Sequence, residues 1–396
     1  MASGNSNDGS QDAAILSSVS RPGLEVQEDT AAAPARGSVR AMQRSDIPAV
    51  ATIFRTAFAK GRPIGDLTSY IEAVFFDCPL YSEEHGGLVY DNGRQGISAA
   101  VLSLPMPFIA HDQPVTARLL CAFMADGTRS GALGAARITR YLSLKNVEFC
   151  FSDNASPVSL GHWMAGGGTM LPVQSLEWRR GFHPLGALFS GMGRARRTGR
   201  LPHAVAPLLR VIDRIMLACK PSLTPRAVPG CTTNTTTLQV FFEHAEAMTQ
   251  RFSVRPMWRR DYFDWLARIA AMNDTLGQLQ CRMVEKAGKT IGIYLFAGRP
   301  GTTARVLNLL CLEDCELDVT NEMFASLASE GYVDAAGMAQ PFLMKALMRQ
   351  RSLIFKHRGY FCLQSRHGDL LDAAKTGDLY IGGLASENWS RLVTDF

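Results

Sequence analysis

Apolar side chains recur along the chain with two periods, and segments of the two kinds alternate. Spacings of three and four residues predict helices at 47–58 and 67–76. Apolar runs at 87–90 and 97–106, separated by a turn with Asn92 and Gly93, predict a β hairpin, to which 118–125 adds a third strand. The series continues with a helix at 135–144, a strand at 147–151, a helix at 154–164 and a strand at 171–178.

A second series of elements follows from about residue 255. It contains a helix at 260–271, strands at 278–285, 290–296 and 304–312, a helix at 321–329, a strand at 332–336, a helix at 341–355, a strand at 360–364 and a helix at 367–375. Both series run helix, meander, helix, strand, helix, strand, although the residue identities do not repeat. This order predicts an α/β protein built as a tandem duplicate.

Composition divides the chain further. Residues 1–37 are rich in Ser, Gly, Asp and Ala and poor in large apolar side chains, so we expect a disordered tail. A first domain is predicted at 38–182 and a second at 255–396. The segment between them, 183–254, is predicted to be a partly helical connector, and its arginines at 194–200 are typical of a solvated linker face.

Charge and cysteine content narrow the class of protein. Of the 396 residues, 46% are hydrophobic and 19% are charged, and the net charge is +5. So modest a charge argues against a nucleic-acid partner, and no apolar run of about 18 residues predicts a transmembrane segment. No secretory signal is found, and the nine cysteines include no Cys-x-x-Cys pair. We therefore expect a cytoplasmic protein without a metal site.

The segment 128–135 carries the strongest chemical signal. It contains Arg129, Gly131 and Gly134, follows the predicted strand at 118–125 and leads into a predicted helix. Glycines let a backbone approach a phosphate closely, and the N-terminus of a helix adds partial positive charge. Arg129 can add a charged fork. The segment predicts a pyrophosphate site, and the alternative is a plain strand-to-helix turn.

This arrangement resembles the GNAT acyltransferases, which use acyl-CoA. Members carry an Arg or Gln, two residues, a Gly, one residue and then Gly or Ala, and 129–134 fits that pattern except that Ala132 replaces the first Gly. The resemblance covers 38–182 and, more weakly, 255–396. The matching segment of the second half, 313–318, holds four carboxylates and no glycine, so we expect it to repel a pyrophosphate. The resemblance implies two tandem GNAT-like domains, each a mixed central sheet flanked by helices.

The same resemblance implies acetyl-CoA or another acyl-CoA as co-substrate. The strand that ends at Ala125 would splay to accept the pantetheine arm, and its backbone would polarise the thioester carbonyl. The implied phosphate ligands are Arg129 and the backbone N–H groups of Gly131, Ala132, Leu133, Gly134 and Ala135. Asn154 matches a cofactor-contacting Asn of the family, although an Asn there can also cap the following helix.

The groups that would transfer protons stay open. The Tyr that the family uses as general acid falls near Gly161, which makes His162 the candidate acid. Candidate bases are Asp126 at the end of one strand and Glu148 on the next, with Glu83, Glu84 and His85 as further choices. All of these residue types also occur as ordinary solvated or packing side chains.

The predicted function is that of an acyl-CoA-dependent N-acyltransferase, which transfers first of all an acetyl group to a small-molecule or peptide amine. The oligomeric state stays open, with a homodimer as one alternative. The alternative is a catalytically inactive GNAT-like binding or assembly protein, which Ala132, the missing Tyr and the acidic second loop favour. Aminoacyl transfer from a charged tRNA is a third hypothesis. It requires a basic groove, which the charge balance does not favour.

Overall fold

The computed structural model describes residues 37–59, 65–93, 96–144, 147–182 and 224–394. Two predictions fall mainly outside them: the tail at 1–37, of which only Gly37 is described, and the helix and arginines of the connector between 193 and 217. In the described part of the chain, no helix combines the length and the apolar character needed to cross a bilayer.

The first sheet is mixed. Its strands are β1 (Ser38–Ala41), β2 (Leu88–Asp91), β3 (Ile97–Ala110), β4 (Gln113–Ala125), β5 (Cys150–Ala155), β6 (Thr169–Leu171), β9 (Val254–Pro256) and β15 (Tyr360–Gln364). They lie in the order β1-β2-β3-β4-β5-β15-β6, with β9 paired to β3. The pair β4–β5 is parallel, and the other pairs are antiparallel.

The second sheet repeats this plan. Its strands are β7 (Leu176–Gly181), β8 (Cys231–Thr236), β10 (Leu279–Lys286), β11 (Lys289–Ala297), β12 (Thr303–Cys311), β13 (Asp334–Met338) and β14 (Leu353–His357). They lie in the order β14-β7-β13-β12-β11-β10-β8, and β12–β13 is the parallel pair. The predicted turn at Ala287 and Gly288 joins β10 to β11, and both residues have positive φ, as a tight hairpin requires.

Helices cover the sheets on several faces. They are α1 (Ile47–Phe54), α2 (Leu67–Phe75), α3 (Arg129–Leu144), α4 (Pro157–Ala165), α5 (Leu238–Thr249), α6 (Arg260–Ala271), α7 (Glu316–Ser329), α8 (Met344–Met348), α9 (Gly368–Thr376) and α10 (Arg391–Thr394). The largest apolar cluster joins α1, α2, α5 and α6 to one face of each sheet. Smaller clusters pack α3 and α4 on the first sheet, and α7 on the second. These layers confirm the predicted α/β class with two mixed, helix-flanked sheets.

The two sheets exchange strands. β7, which precedes residue 182, lies in the second sheet between β13 and β14. β15, from near the end of the chain, lies in the first sheet between β5 and β6. β8 and α5 fall inside the segment predicted as a connector, and β8 pairs with β10. Strands on each side of the predicted domain boundaries at 182 and 255 therefore belong to the sheet of the other half. The boundaries themselves stay predictions.

Several predicted elements are wrong in their bounds. The helix predicted at 154–164 begins at Pro157, because residues 154 and 155 still belong to β5. The strand predicted at 171–178 is two strands, β6 and β7. The helix predicted at 341–355 ends at Met348, and Ser352 has a φ of 60°, which turns the chain into β14.

Candidate active site

The first sheet opens where β4 and β5 diverge. These parallel strands pair only at Arg118–Cys150 and Leu119–Phe151, although both continue beyond those positions. A β-bulge lies next to the opening: Val101 pairs with Phe123 and Ser103 with Leu120, so Cys121 and Ala122 share a single position of β3. A bulge bends its strand and increases the local twist. The bulge on β4 is therefore a structural reason for the gap between the two strands.

An apolar slot occupies this gap, between α3 and α4. Its volume is about 100 Å³. The residues that line it include Phe58, Leu120, Cys121, Phe123, Thr139, Leu142, Ser152, Asn154, Ser159, His162, Trp163 and Gln364. A narrow, mostly apolar cleft of this kind suits a thin flexible chain with few polar atoms.

A much larger polar cavity lies beside the slot. Its volume is about 820 Å³, and its walls come from both sheets and from the C-terminal segment. The residues that line it include Asn154, Glu177, Asp274, Arg299, Arg305, Lys356, His357, Arg358 and Asn388. Asn154 borders both the apolar slot and the polar cavity. Two ligands, one in each, would therefore meet near this residue.

His162 faces the slot from α4. Its Nδ1 lies 3.0 Å from Oγ1 of Thr139, and its ring packs edge-on against Phe123. The Thr139 hydroxyl is also 3.1 Å from the carbonyl oxygen of Ala135, and when it donates there, His162 donates its Nδ1–H to the hydroxyl oxygen. That tautomer leaves Nε2 as an acceptor. Burial lowers the pKa of His162 below 6.5, so the ring is neutral near pH 7. A neutral ring in this tautomer can accept a proton at Nε2, and the acid role of His162 stays a prediction.

A buried cluster of charged groups lies behind Asn154. Asp153 and Glu387 are both buried, and the backbone N–H of Glu387 donates to Oδ2 of Asp153 over 3.3 Å. Arg358 lies 3.4 Å from the same oxygen and also donates to Asn388 over 2.5 Å. Burial and the nearby Asp153 carboxylate raise the pKa of Glu387, and Arg358 lowers it. The net effect is a pKa well above 4.5. The raised pKa favours the protonated, neutral form of Glu387.

The start of α3 differs from the predicted loop. The helix begins at Arg129, whereas the prediction began it at 135. The Gly131 N–H donates to Oγ1 of Thr128 and the Ala132 N–H to its carbonyl oxygen, so both have partners within the chain. Leu133, Gly134 and Ala135 lie inside the helix. The helix and its cap therefore use these N–H groups, and the role of Gly131 to Ala135 as phosphate donors stays a prediction.

Asp126 occupies the position in front of that helix. Its Oδ1 accepts the Thr128 N–H over 2.9 Å and the Thr128 hydroxyl over 2.6 Å. A β-carbon added at Gly131 would come within 2.9 Å of the Ser98 carbonyl oxygen, so this glycine is required for packing. Arg129 is exposed on the first turn, and Ala125 ends β4 close by. Because a carboxylate already interacts with this helix end, an incoming phosphate would meet a like charge.

The remaining predicted residues are at the surface or outside the slot. Glu148 is exposed and forms an ion pair with Arg366 over 2.6 Å. Asn154 is exposed at the end of β5, and the cap of α4 is Ser156, whose hydroxyl accepts the Ser159 N–H. The structure therefore brings Asn154 and His162 together at the slot and leaves Glu148 outside it. Among the residues that the structure describes, no group of three or more His, Cys, Asp or Glu side chains could hold a metal ion.

The second half has a filled gap at the corresponding place. β12 and β13 pair over four positions and then separate. The segment 380–384 lies between them: buried Asn308 on β12 donates to the Gly382 carbonyl over 3.1 Å and accepts the Leu384 N–H over 3.0 Å. On the other side, Gln340 donates to the Ile381 carbonyl over 2.7 Å. The chain's own backbone therefore occupies the place where the first sheet has its apolar slot.

Sequence reasoning missed the cluster of Asp153, Arg358 and Glu387. These residues come from three distant segments, and no spacing in the sequence connects them. The local signal was the charge of Glu387 in a mostly apolar stretch at 379–389.

Comparison with known proteins identifies the fold. No protein-family model matches the chain, and neither does any curated protein. A crystal structure of a GCN5-related N-acetyltransferase from Anabaena variabilis is similar, with a TM-score of 0.55 and 11% identity over 85% of this chain and 75% of that one. A probable N-acyltransferase from Enterococcus faecalis has a TM-score of 0.51 and 11% identity over 83% and 72%. The chain has the GNAT fold in tandem, as the resemblance predicted.

Proposed function

We propose that this chain transfers an acyl group from acyl-CoA to an amine acceptor. One observation carries the proposal: the apolar slot between β4 and β5 meets the polar cavity at Asn154. The pantetheine arm and thioester would lie in the slot, and the acceptor would enter from the cavity. The GNAT fold of the chain supports an acyl-CoA donor, with acetyl-CoA as the first to test.

The chemistry proposed is direct attack of the amine on the thioester carbonyl. A bond forms between the amine nitrogen and the acyl carbon, the bond from that carbon to sulfur breaks, and CoA leaves as a thiolate that takes up a proton. The attacking nitrogen must lose a proton. His162 is suited to accept it, since its Nε2 is an acceptor and its pKa is lowered by burial. Asn154 would orient the two reactants at the junction.

A calorimetric titration with acetyl-CoA tests the slot. In Ser159→Trp, an indole enters the slot from a half-exposed position on α4. We expect it to weaken binding by about ten-fold or more, because it removes the space for the pantetheine arm. Val158→Trp is the matched control, since Val158 is the neighbouring residue and is 75% exposed outside the slot. Equal affinity in both variants would show that the cofactor binds elsewhere. Failure of the unmodified protein to bind acetyl-CoA would exclude the proposed donor.

A catalytically inactive binding protein is the second candidate. The observation that favours it is Asp126, whose carboxylate lies in front of α3 where a phosphate would approach. Thiol release from acetyl-CoA, measured across a panel of amines, separates the two. Saturable binding of acetyl-CoA without release of thiol on any amine supports the inactive protein. Turnover that His162→Gln abolishes while binding persists supports the transferase.

A further inference from the structure

The polar cavity is unevenly charged. Four cationic side chains line it, Arg299, Arg305, Lys356 and Arg358, against two carboxylates, Glu177 and Asp274. Arg305 pairs with Glu177 over 2.7 Å, and Arg358 with Asp153 over 3.4 Å. This uneven lining is the starting point for inferring what the cavity binds.

Two of the cations have no carboxylate partner. Within residues 37–59, 65–93, 96–144, 147–182 and 224–394, no ion pair involves Arg299 or Lys356, both of which are exposed to the cavity. Arg305 also lines the cavity, and its one ion pair among the described residues is with Glu177. The cavity therefore offers donors and positive charge in excess of its own acceptors.

We infer that the polar cavity binds the acceptor through an anionic group, a carboxylate or a phosphate, held by Arg299, Arg305 and Lys356. This inference rests on the proposed function and deepens it by naming the substrate class. Guanidinium groups bind both kinds of anion through paired hydrogen bonds. The amine end of the same molecule would then reach Asn154, where the cavity borders the slot. Polycationic amines without an anionic group would be repelled.

Paired probes test the anionic group without requiring turnover. Glucosamine 6-phosphate and glucosamine differ by a phosphate, and glycylalanine and its C-terminal amide differ by a carboxylate. Titration of each into the full chain should show binding at least ten-fold tighter for the anionic member of one pair. The pair that shows the difference tells phosphate from carboxylate. Equal binding within both pairs, or no binding of any of the four, overturns the inference.

Charge reversals locate the site. Lys356→Glu and Arg299→Glu should each weaken binding of the anionic probe by about ten-fold or more and leave the acetyl-CoA affinity unchanged. Lys289→Glu is the control, because Lys289 is an exposed lysine at the β10–β11 turn, away from the cavity. If the reversals weaken acetyl-CoA instead, the cavity holds cofactor phosphates and the inference fails. Anion binding without turnover on any amine leaves the site intact and contradicts the transferase, so the two failures are distinguishable.

Discussion

Asp153 and Glu387 place two carboxyl groups beside one guanidinium, that of Arg358, in a buried region. Two ionised carboxylates there would leave one negative charge uncompensated, and removing such a charge from water is unfavourable. Protonation of Glu387 removes that charge. The neutral cluster then fixes Asn388 and Arg358 at the wall of the polar cavity, through the contact between them. The cluster thus links the stability of the C-terminal segment to pH.

Replacing Glu387 should change stability in a pH-dependent way. Because the folded-state pKa of Glu387 is raised, the folded state binds more protons than the unfolded state above pH 4.5, and stability falls as the pH rises through that window. Glu387→Gln cannot ionise. We expect its thermal midpoint to exceed that of the unmodified protein at pH 8, with the difference shrinking towards pH 5. Glu246→Gln, at an exposed position of α5, is the control. A difference that does not vary with pH would contradict the buried proton.

Removing Arg358 should destabilise the chain. Arg358→Met leaves the Asp153 carboxylate buried without its cation, and breaking such a pair typically lowers the free energy of unfolding by about 3–5 kcal/mol. Denaturant unfolding measures the loss. Adding Glu387→Gln to this variant should recover part of it, because loss of Arg358 raises the pKa of Glu387 further and glutamine removes the cost of keeping that proton in the folded state. A loss below about 1 kcal/mol would mean that water already solvates the pair.

At this scale, sequence reasoning identified the residues whose neighbours are close in the chain. Asn154 and His162 follow the predicted strand directly, and both line the slot. Glu387 and Arg358 reach Asp153 from positions more than 200 residues away. No periodicity or motif carries that information, since it depends on how the two sheets join.

At the scale of elements, α3 gives the glycines a packing role that the sequence does not show. Position 134 of the helix requires glycine, because a β-carbon there would lie within 2.9 Å of the Ala99 β-carbon and next to Tyr90. The glycines therefore allow α3 to pack closely on the sheet, a requirement that is invisible in the sequence and that mimics a phosphate loop. The β3–β4 hairpin is longer than the strands predicted at 97–106 and 118–125. Its turn residues, His111 and Asp112, have φ of 49° and 61° without being the Asn-Gly pair that signals such a turn.

The carboxylate in front of α3 predicts an effect on cofactor affinity. Asp126→Asn keeps a hydrogen-bond acceptor for Thr128 and removes the negative charge. If the pyrophosphate binds at this helix end, acetyl-CoA affinity should rise about two- to five-fold, the range expected for one charge at a helix terminus. Calorimetric titration at low salt measures this. Thr128→Ala is the companion variant, and the lost cap should lower the free energy of unfolding by about 1 kcal/mol. Unchanged affinity in Asp126→Asn would place the phosphates away from α3.

On the scale of the whole molecule, the tandem order was predictable and the strand exchange was not. Each half has a local order of helices and strands that its own periodicity specifies. The exchange of β7 and β15 depends on which open sheet edge each strand meets. The apolar pattern of each strand is the same as that of a strand that pairs within its own half of the chain. The filled gap in the second sheet was also not predicted. The expectation at this place rested only on the negative charge of the segment at 313–318. Asn308 and Gly383 show that backbone fills the space.

The exchange predicts that the halves depend on each other. A fragment of residues 37–182 lacks β15, so β5 and β6 lose the strand that joins them in the first sheet. We expect this fragment to show no cooperative thermal transition by circular dichroism, whereas the full chain should unfold in one step. A fragment that unfolds cooperatively, with a helix and strand content like that of the first half, would contradict this expectation.

The position of β15 also has a consequence for synthesis on the ribosome. The first sheet can be completed only when residue 364 has been added, roughly 200 residues after β5. At about 5–20 residues per second, the nascent chain keeps an open β5 edge for about ten to forty seconds. An unpaired edge is a template for pairing with other chains. The yield of folded protein should therefore rise at a lower growth temperature and with chaperones that shield nascent chains. This rise should be larger than the stability of the folded protein alone would suggest.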